Sequence, residues 1–422
     1  MKLLWFGDMA ATGFGSVTTD IGRELLNLGV DVRFASQNDL GTIPPEPFGS
    51  RTLDLAYYAA NWDHSKGRVG VTGVQDFVSA LIEGTSDSCL ATGEAWGDWK
   101  PDACVLLGDF TAARLLISRF TEAFGKVPTY HYCPIEGTDL PPKWGELWRI
   151  IKPIAMSEFG VAQIEKVTGT KPPLAYHGVN ADEFYPPSPS RPLRVPQNGE
   201  QGAPTVKLAS RDACRRFFGG DPSDTWVLRT DRNMPRKRYG ALLRAMTPVL
   251  ERHPEVKLVI HANIFDQGGY LPDSVSKMPK HVQQQVLLTQ LGPVPRPVLN
   301  ALYAASDLYA TTSAEGFGLC IAEALMCGIP AVGIDYSAVP EVIGPAGTVV
   351  PIAYEYDNEY DHKWATPDED AFADAVEYLV SHPSKRRALG AEGPKHVAKS
   401  FRWSEAARVI AEVCETSEAI AA

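Results

Sequence analysis

Strand-length apolar runs alternate along this chain with segments of helical period, and that alternation constrains its fold more than any other feature. Residues 3–6 form an apolar run, residues 17–28 keep Ile21, Leu25 and Leu28 on one helical stripe, and Val32-Arg-Phe-Ala35 follows at strand length. Further runs at 104–107, 128–132, 154–156 and 174–176 each end in glycine or a polar residue that opens a loop. Continuous apolar strands separated by amphipathic helices predict parallel sheets covered on both faces.

The pattern breaks once, at residues 186–205, where prolines and small polar residues crowd together and no regular element is expected. It then resumes with strands at 226–228, 256–260, 308–311 and 331–334 and helices at 242–250 and 319–327. A helix carrying Phe372, Val376 and Leu379 on one face follows, and a last one runs from Ser404 to about Cys414. The expected organisation is a first α/β domain over 1–185, a linker over 186–205, a second α/β domain over 206–398 and a terminal helix within 399–422. The carboxyl ends of two such sheets are the expected place for a ligand.

Composition removes several classes. Forty Lys and Arg against 51 Asp and Glu give a net charge of −11, which disfavours nucleic acid or anionic lipid as a general partner. Seven cysteines without a C-x-x-C pair are an odd number and suit a reducing, cytoplasmic setting. The apolar run before Gly7 is too short for a signal-peptide core and reads as a strand. The later apolar stretch at 319–334 is interrupted by Glu323, Gly328 and Pro330, so no membrane span is expected.

The first strand–helix loop holds Gly13 and Gly15 but has Thr18 where a dinucleotide fingerprint needs its third glycine, and the second strand runs into Ala35-Ser36-Gln37 where the acid belongs. NAD binding is therefore disfavoured. The loop suits either a phosphate at a helix N-terminus or simply a tight turn. In the second domain, Ser313-Ala-Glu315-Gly316-Phe317-Gly318-Leu319 leads into a helix carrying Glu323. Glycines at 316 and 318 permit close backbone approach, and the helix start offers N–H groups to a diphosphate. Eight helical residues rise about 12 Å, so Glu315 and Glu323 can reach different parts of one extended molecule. Taken singly, each glutamate is better explained without a ligand, Glu315 as a helix-dipole partner and Glu323 as a solvent-facing acid.

The whole segment resembles the E-x7-E motif of retaining glycosyltransferases with the GT-B fold, in the family known as glycosyltransferase family 4 or glycosyl transferases group 1. Arg232-Asn-Met-Pro-Arg236-Lys237 is similar to that family's Arg and Lys segment, and Gln290-Leu-Gly292-Pro-Val294 to its base-binding loop. His177-Gly178-Val179-Asn180, running on to Phe184-Tyr-Pro186, resembles the exit from the N-terminal domain, and Phe401-Arg-Trp403 the approach to the last helix.

The resemblance implies two Rossmann-like domains facing across a cleft, with the C-terminal helix crossing back to the first. It implies transfer of a sugar from a nucleoside-diphosphate sugar to an acceptor hydroxyl, with retention and without an obligatory metal or other cofactor. Arg232 and Lys237 would then neutralise the diphosphate, Glu315 contact the sugar and Glu323 the ribose. Backbone from Gly316, Phe317, Gly318 and Leu319 would meet the diphosphate or sugar, Gly15 would let the first loop close over it, and Gly292 and Val294 would border the base. His131, in Thr129-Tyr-His131-Tyr-Cys, matches a family histidine that touches the sugar or orients the reacting groups. No carboxylate pair of glycosidase type is identifiable. Acceptor choice is expected to reside in 38–150, where Trp62, Trp96, Trp99, Trp144 and Trp148, with Tyr57 and Tyr58, serve either as ring platforms or as core. Glycan, glycoconjugate, small molecule and modified nucleobase all stay open as acceptors. A sugar-nucleotide epimerase or a noncatalytic sugar-nucleotide-binding subunit of the same architecture are the alternatives.

Overall fold

The computed structural model describes residues 1–10, 12–36, 47–48, 51–54, 99–110, 127–197, 202–289 and 294–421. The chain forms two compact units, one built from 1–135, 140–177 and 403–422, the other from 136–139 and 178–402.

Among the described residues of the first unit, six parallel strands form one sheet: β1 (Lys2–Gly7), β2 (Asp31–Ser36), β3 (Thr52–Asp54), β4 (Ala103–Leu107), β5 (Thr129–Cys133) and β6 (Lys152–Ala155). Their order is β3-β2-β1-β4-β5-β6. Leu3 to Phe6 on β1 and Ala103 to Leu107 on β4 are buried throughout, as a sheet covered on both faces requires. The chain leaves β1 toward β2 on one side, and β4 lies on the other, so the loop after β1 opens at a topological switch point. That loop feeds helix Gly13–Asn27, whose cap is Thr12: its hydroxyl accepts the Gly15 N–H at 3.0 Å and donates to Asp8 at 2.6 Å.

The terminal helix Trp403–Ala421 belongs to this unit, packs against helix Gly13–Asn27 and receives the Tyr130 hydroxyl on the Val413 carbonyl. It runs past the expected end near Cys414. Residues 174–176, expected as a strand, contribute a single bridge from Leu174 to Ala155.

The long run of the second unit, from Gly178 to Arg402, takes in the proline-rich stretch. That stretch is also more regular than expected: β7 (Leu193–Pro196) pairs antiparallel with β8 (Thr205–Leu208). Leu193 and Val195 are buried at period two, while Pro192 precedes the strand and Pro196 ends it, where a missing N–H costs little. The main sheet, among the described residues, is again parallel and six-stranded. It comprises β9 (Thr225–Thr230), β10 (Val256–His261), β13 (Val286–Thr289), β14 (Leu308–Ala310), β15 (Ala331–Ile334) and β16 (Gly347–Val350), with β11 (Phe265–Asp266) and β12 (Gly269–Tyr270) forming a small hairpin outside it. The order β13-β10-β9-β14-β15-β16 puts a second switch point between β9 and β14.

A second hairpin, β17 (Ile352–Asp357) with β18 (Lys363–Pro367), and helix Pro383–Ser400 complete the unit. That helix carries no apolar stripe to announce it. It packs through glycine: a Cβ on Gly390 or Gly393 would lie 2.4 Å from the Gly328 carbonyl oxygen or 2.3 Å from that of Leu325. Among the described residues no helix is long and apolar enough to cross a membrane.

Candidate functional site

The loops after β9 and β14 leave neighbouring strands at the switch point of the second sheet and carry the chemistry. After β9 the chain runs through Asp231 and Arg232 into a 3-10 turn, Pro235–Lys237. Lys237 is buried, with its Nζ 2.5 Å from Glu315 Oε1 and 3.6 Å from Asp231 Oδ2. The fully buried Arg229 lies 2.6 Å from Asp231 and donates to Ser313 Oγ at 3.0 Å. Burial alone would weaken the Arg229 charge, but Asp231, with Tyr309, Tyr239 and Glu315 adding to it, outweighs burial and raises the pKa.

Glu315 follows β14 and is held on every side. Its N–H donates to Ser337 Oγ at 2.9 Å, and its carboxylate accepts from Lys237, from the Ser313 hydroxyl and from Arg236 Nη1 at 3.4 Å. Burial pushes this carboxyl up, yet Lys237 and Arg236 outweigh it and hold the group well below the usual carboxylate range. An anionic Glu315 can accept hydrogen bonds from hydroxyls but has no proton to give at neutral pH.

Beyond Glu315 the buried Gly316 and Gly318 flank Phe317, whose ring meets Phe401 edge-on at 5.1 Å and pins the turn. Gly318 has φ 99°, a conformation that side chains with a Cβ rarely adopt, and it caps helix Leu319–Met326 without a side-chain hydrogen bond. Leu319, half-buried, is the first residue of that helix. Glu323 lies one turn on. It is 8% exposed and accepts the Tyr303 hydroxyl at 2.8 Å, which also meets Thr230 Oγ1 at 2.9 Å. The solvent-facing alternative for Glu323 is thereby removed.

The remaining expected residues lie elsewhere. Arg232 is on the same loop as Lys237 but forks onto Asp266 of β11 at 3.0 and 3.1 Å and is largely exposed. Val294 is half-buried just before helix Arg296–Ala305, and Gly292 lies outside the described residues. Gly15 commits its N–H to Thr12, and a Cβ there would sit 1.8 Å from the Ala10 carbonyl oxygen, so this glycine is required by the turn itself.

His131 is fully buried on β5 in the first unit. Trp148 Nε1 donates to its Nδ1 at 3.2 Å, which places the ring proton on Nε2 for the Gly108 carbonyl at 3.1 Å. In this arrangement both ring nitrogens serve the interior and neither is presented to a ligand. Trp144 stacks on Phe110 at 4.0 Å and Trp148 packs edge-on, so these tryptophans and the buried Trp99 are core rather than platforms. Trp62, Trp96, Tyr57 and Tyr58 lie outside the described residues.

The sequence pattern takes Arg232 and Lys237 from the Arg and Lys run, with the register open by one residue at 237–238. The structure separates the members. Arg236 and Lys237 turn toward Glu315, while Arg238, at φ 54°, turns away to the Tyr356 ring and Thr366 Oγ1. Arg229 and Asp231 gave no sequence signal, because a charged residue at a strand end looks like any loop residue.

Residues 215–396 match the family described as glycosyl transferases group 1. D-inositol 3-phosphate glycosyltransferase of Rhodococcus opacus is 31% identical over 202 residues, which are 47% of this chain and 42% of that protein. GDP-mannose-dependent monoacylated alpha-(1-6)-phosphatidylinositol monomannoside mannosyltransferase of Corynebacterium glutamicum is 24% identical over 260 residues, 59% of this chain and 58% of that one. The matched stretches thus span between about two-fifths and three-fifths of these relatives' length. Among solved structures, sucrose-phosphate synthase from Thermosynechococcus elongatus superposes with a TM-score of 0.70 at 18% identity, covering 100% of both chains. Anabaena HepE, in complex with UDP and glucose, superposes with a TM-score of 0.67 at 17% identity, covering 99% of this chain and 100% of that one. The match to glycosyl transferases group 1 thus lies within the second unit, and the chain as a whole has the GT-B fold.

Proposed function

We propose that this protein transfers a sugar from a nucleoside-diphosphate sugar to an acceptor hydroxyl, with retention at the anomeric carbon, in the cytoplasm. The observation that carries the proposal is the pairing of Lys237 with Glu315 at the switch point of the second sheet, beside the Gly316–Gly318 turn and the start of helix Leu319–Met326. Lys237 supplies a compact positive charge where a leaving diphosphate gathers negative charge, Glu315 accepts sugar hydroxyls, and Glu323 takes the ribose. Arg232 joins the diphosphate by exchanging Asp266 for phosphate oxygens. These cations do the neutralising that a bound metal does in other transferases, so the reaction needs no metal or other cofactor. The departing diphosphate assists removal of the acceptor proton on the same face. His131 contributes by fixing the end of β5 rather than by proton transfer. The names of the relatives and the UDP and glucose of the Anabaena structure support the donor class.

Calorimetric binding of UDP-, GDP-, ADP- and TDP-sugars, repeated on Glu323→Ala, tests the donor site. One donor should bind selectively and weaken in the variant, and turnover with it should persist in excess chelator. Failure of every donor to bind would remove the proposal. Turnover lost in chelator and restored only by a divalent ion would remove its metal-free part.

A further inference from the structure

His261 closes β10 and stands in the middle of a row. The registers of β10 pair it with Thr230, the last residue of β9, on one side and with Thr289, the last of β13, on the other. Paired residues of neighbouring strands lie about 4.8 Å apart and turn their side chains to the same face of the sheet. The Thr230 hydroxyl meets that of Tyr303, which donates to Glu323, so His261 lies on the face of the sheet that carries Glu323.

The ring of His261 is aimed. Its Nδ1 is 2.7 Å from Thr289 Oγ1, whereas Nε2 has no partner among the described residues and is not enclosed. Burial holds the pKa of this half-buried ring below its ordinary 6.5, so at neutral pH the imidazole is uncharged and its two nitrogens have opposite roles, one donating and one accepting. Thr289 takes up the first nitrogen. The second offers a single directional hydrogen bond and no charge, which suits a ring carbonyl, N–H or amino group better than a phosphate.

Strand order decides which part of a donor reaches it. Along the carboxyl edge of the sheet, β14 leads to Glu315, β9 leads to Lys237, and β10 ends at His261 with β13 beyond. A donor with its sugar at Glu315 and its diphosphate at Lys237 runs from β14 over β9, and its nucleoside end continues toward β10. Glu323 takes the ribose, and its Tyr303 partner reaches as far as Thr230, one strand short of His261. The group left for the next strand is the base.

Resting on the function proposed above, we infer that His261 is a specificity-determining residue of the donor site: its Nε2 hydrogen-bonds the nucleobase, and Thr289 holds the ring in the orientation that allows it.

The experiment is titration calorimetry of UDP, CDP, GDP and ADP, which share ribose and diphosphate and differ in the base alone, into the full chain and into His261→Asn, His261→Gln and Thr289→Val. Asparagine keeps a polar atom for Thr289 near the place of Nδ1 but has none at the place of Nε2, which glutamine does reach. His261→Asn should bind the preferred nucleotide about two- to tenfold more weakly, the range of one net hydrogen bond, and weaken the others less, so that discrimination narrows. His261→Gln should keep part of the preference. Thr289→Val leaves the imidazole in place but free to turn, and should narrow the preference less than His261→Asn does. If the His261 variants do not fold, Thr289→Val carries the test, and an unchanged preference in it overturns the inference. A structural role moves every affinity together, so weakening of all four nucleotides by one factor in His261→Asn, or of none, overturns the inference while leaving the donor site standing. Equal binding of all four by the unaltered chain does the same. If the unaltered chain binds none of them, the proposed function itself fails, and this inference with it.

Discussion

Lys237 Nζ stands 2.5 Å from Glu315 Oε1, although the two residues are 78 positions apart in the chain. They meet because β9 and β14 are hydrogen-bonded neighbours whose following loops leave the sheet on the same edge. A buried carboxylate facing a buried ammonium is costly to separate, since either charge left alone keeps its desolvation penalty.

Lys237→Met should therefore lower both turnover and stability. Breaking a buried pair costs about 3 to 5 kcal/mol, and Arg236 and Ser313 keep the loss here toward the lower end. In the double variant Lys237→Met/Glu315→Gln the stability loss should shrink while turnover stays low. Thermal unfolding and steady-state rates on the four members of the cycle separate the two effects, and equal recovery of both would remove the catalytic role of Lys237.

Glu323 tests the other end of the site. Its carboxylate is held by the Tyr303 hydroxyl, itself bonded to Thr230. Tyr303→Phe should leave Glu323 in place but less constrained, with donor affinity reduced a few-fold, whereas Glu323→Gln should weaken nucleotide binding by about tenfold or more through loss of a charged acceptor. Calorimetry with the preferred donor distinguishes them. A Glu323→Gln variant that binds normally would take the ribose away from this residue.

Much of this arrangement was legible in the sequence because it is local. The strand at 331–334 and the helix opening at Leu319 follow directly from an apolar run and from glycines before a helical stripe, and the Glu315 to Glu323 spacing is carried by one short segment. What depended on distant partners was not legible. Nothing about Arg236 reveals that Glu136, 100 positions earlier, reaches it. Nor does the motif around His131 show that Trp148 and Gly108 occupy both nitrogens. Helix Pro383–Ser400 escaped because its packing surface is glycine rather than an apolar stripe, and the β7–β8 pair because proline density hid an alternation of Leu193 and Val195.

The two glycines of the first loop make a controlled comparison. A Cβ on Gly13 would meet nothing within 4 Å, whereas one on Gly15 would lie 1.8 Å from the Ala10 carbonyl oxygen, a backbone atom that cannot step aside. Gly13→Ala should be neutral or stabilising by up to about 1 kcal/mol, as alanine replaces glycine in a helix. Gly15→Ala should cost well over that by forcing the loop after β1 to move. Urea unfolding of both variants checks the contrast, and similar midpoints would mean that the loop does not need Gly15.

Acid should weaken the fold before it titrates the carboxylates. Burial lowers the pKa of His131 from its ordinary 6.5 to about 4, with the Gly108 carbonyl and Asp109 opposing too weakly to reverse it, and lowers that of His177 to about 3. Protonating His131 would also put a second N–H against the Trp148 indole N–H. Both folded values lie below the unfolded one, so between about pH 6.5 and pH 4 the unfolded chain binds more protons than the folded chain. Stability is then complete above about pH 6.5 and falls as pH drops toward 4, by at most about 1.4 kcal/mol per pH unit for each histidine. Glu315 acts in a lower window that overlaps the end of the histidine one, because its depressed pKa withdraws stability only below its ordinary value of 4.5. Urea midpoints measured between about pH 7.5 and pH 4.5 should slope downward with acid, and His131→Gln, which keeps a donor and an acceptor but cannot charge, should flatten that slope. A variant slope equal to that of the unaltered protein would show that His131 already titrates freely in the folded state.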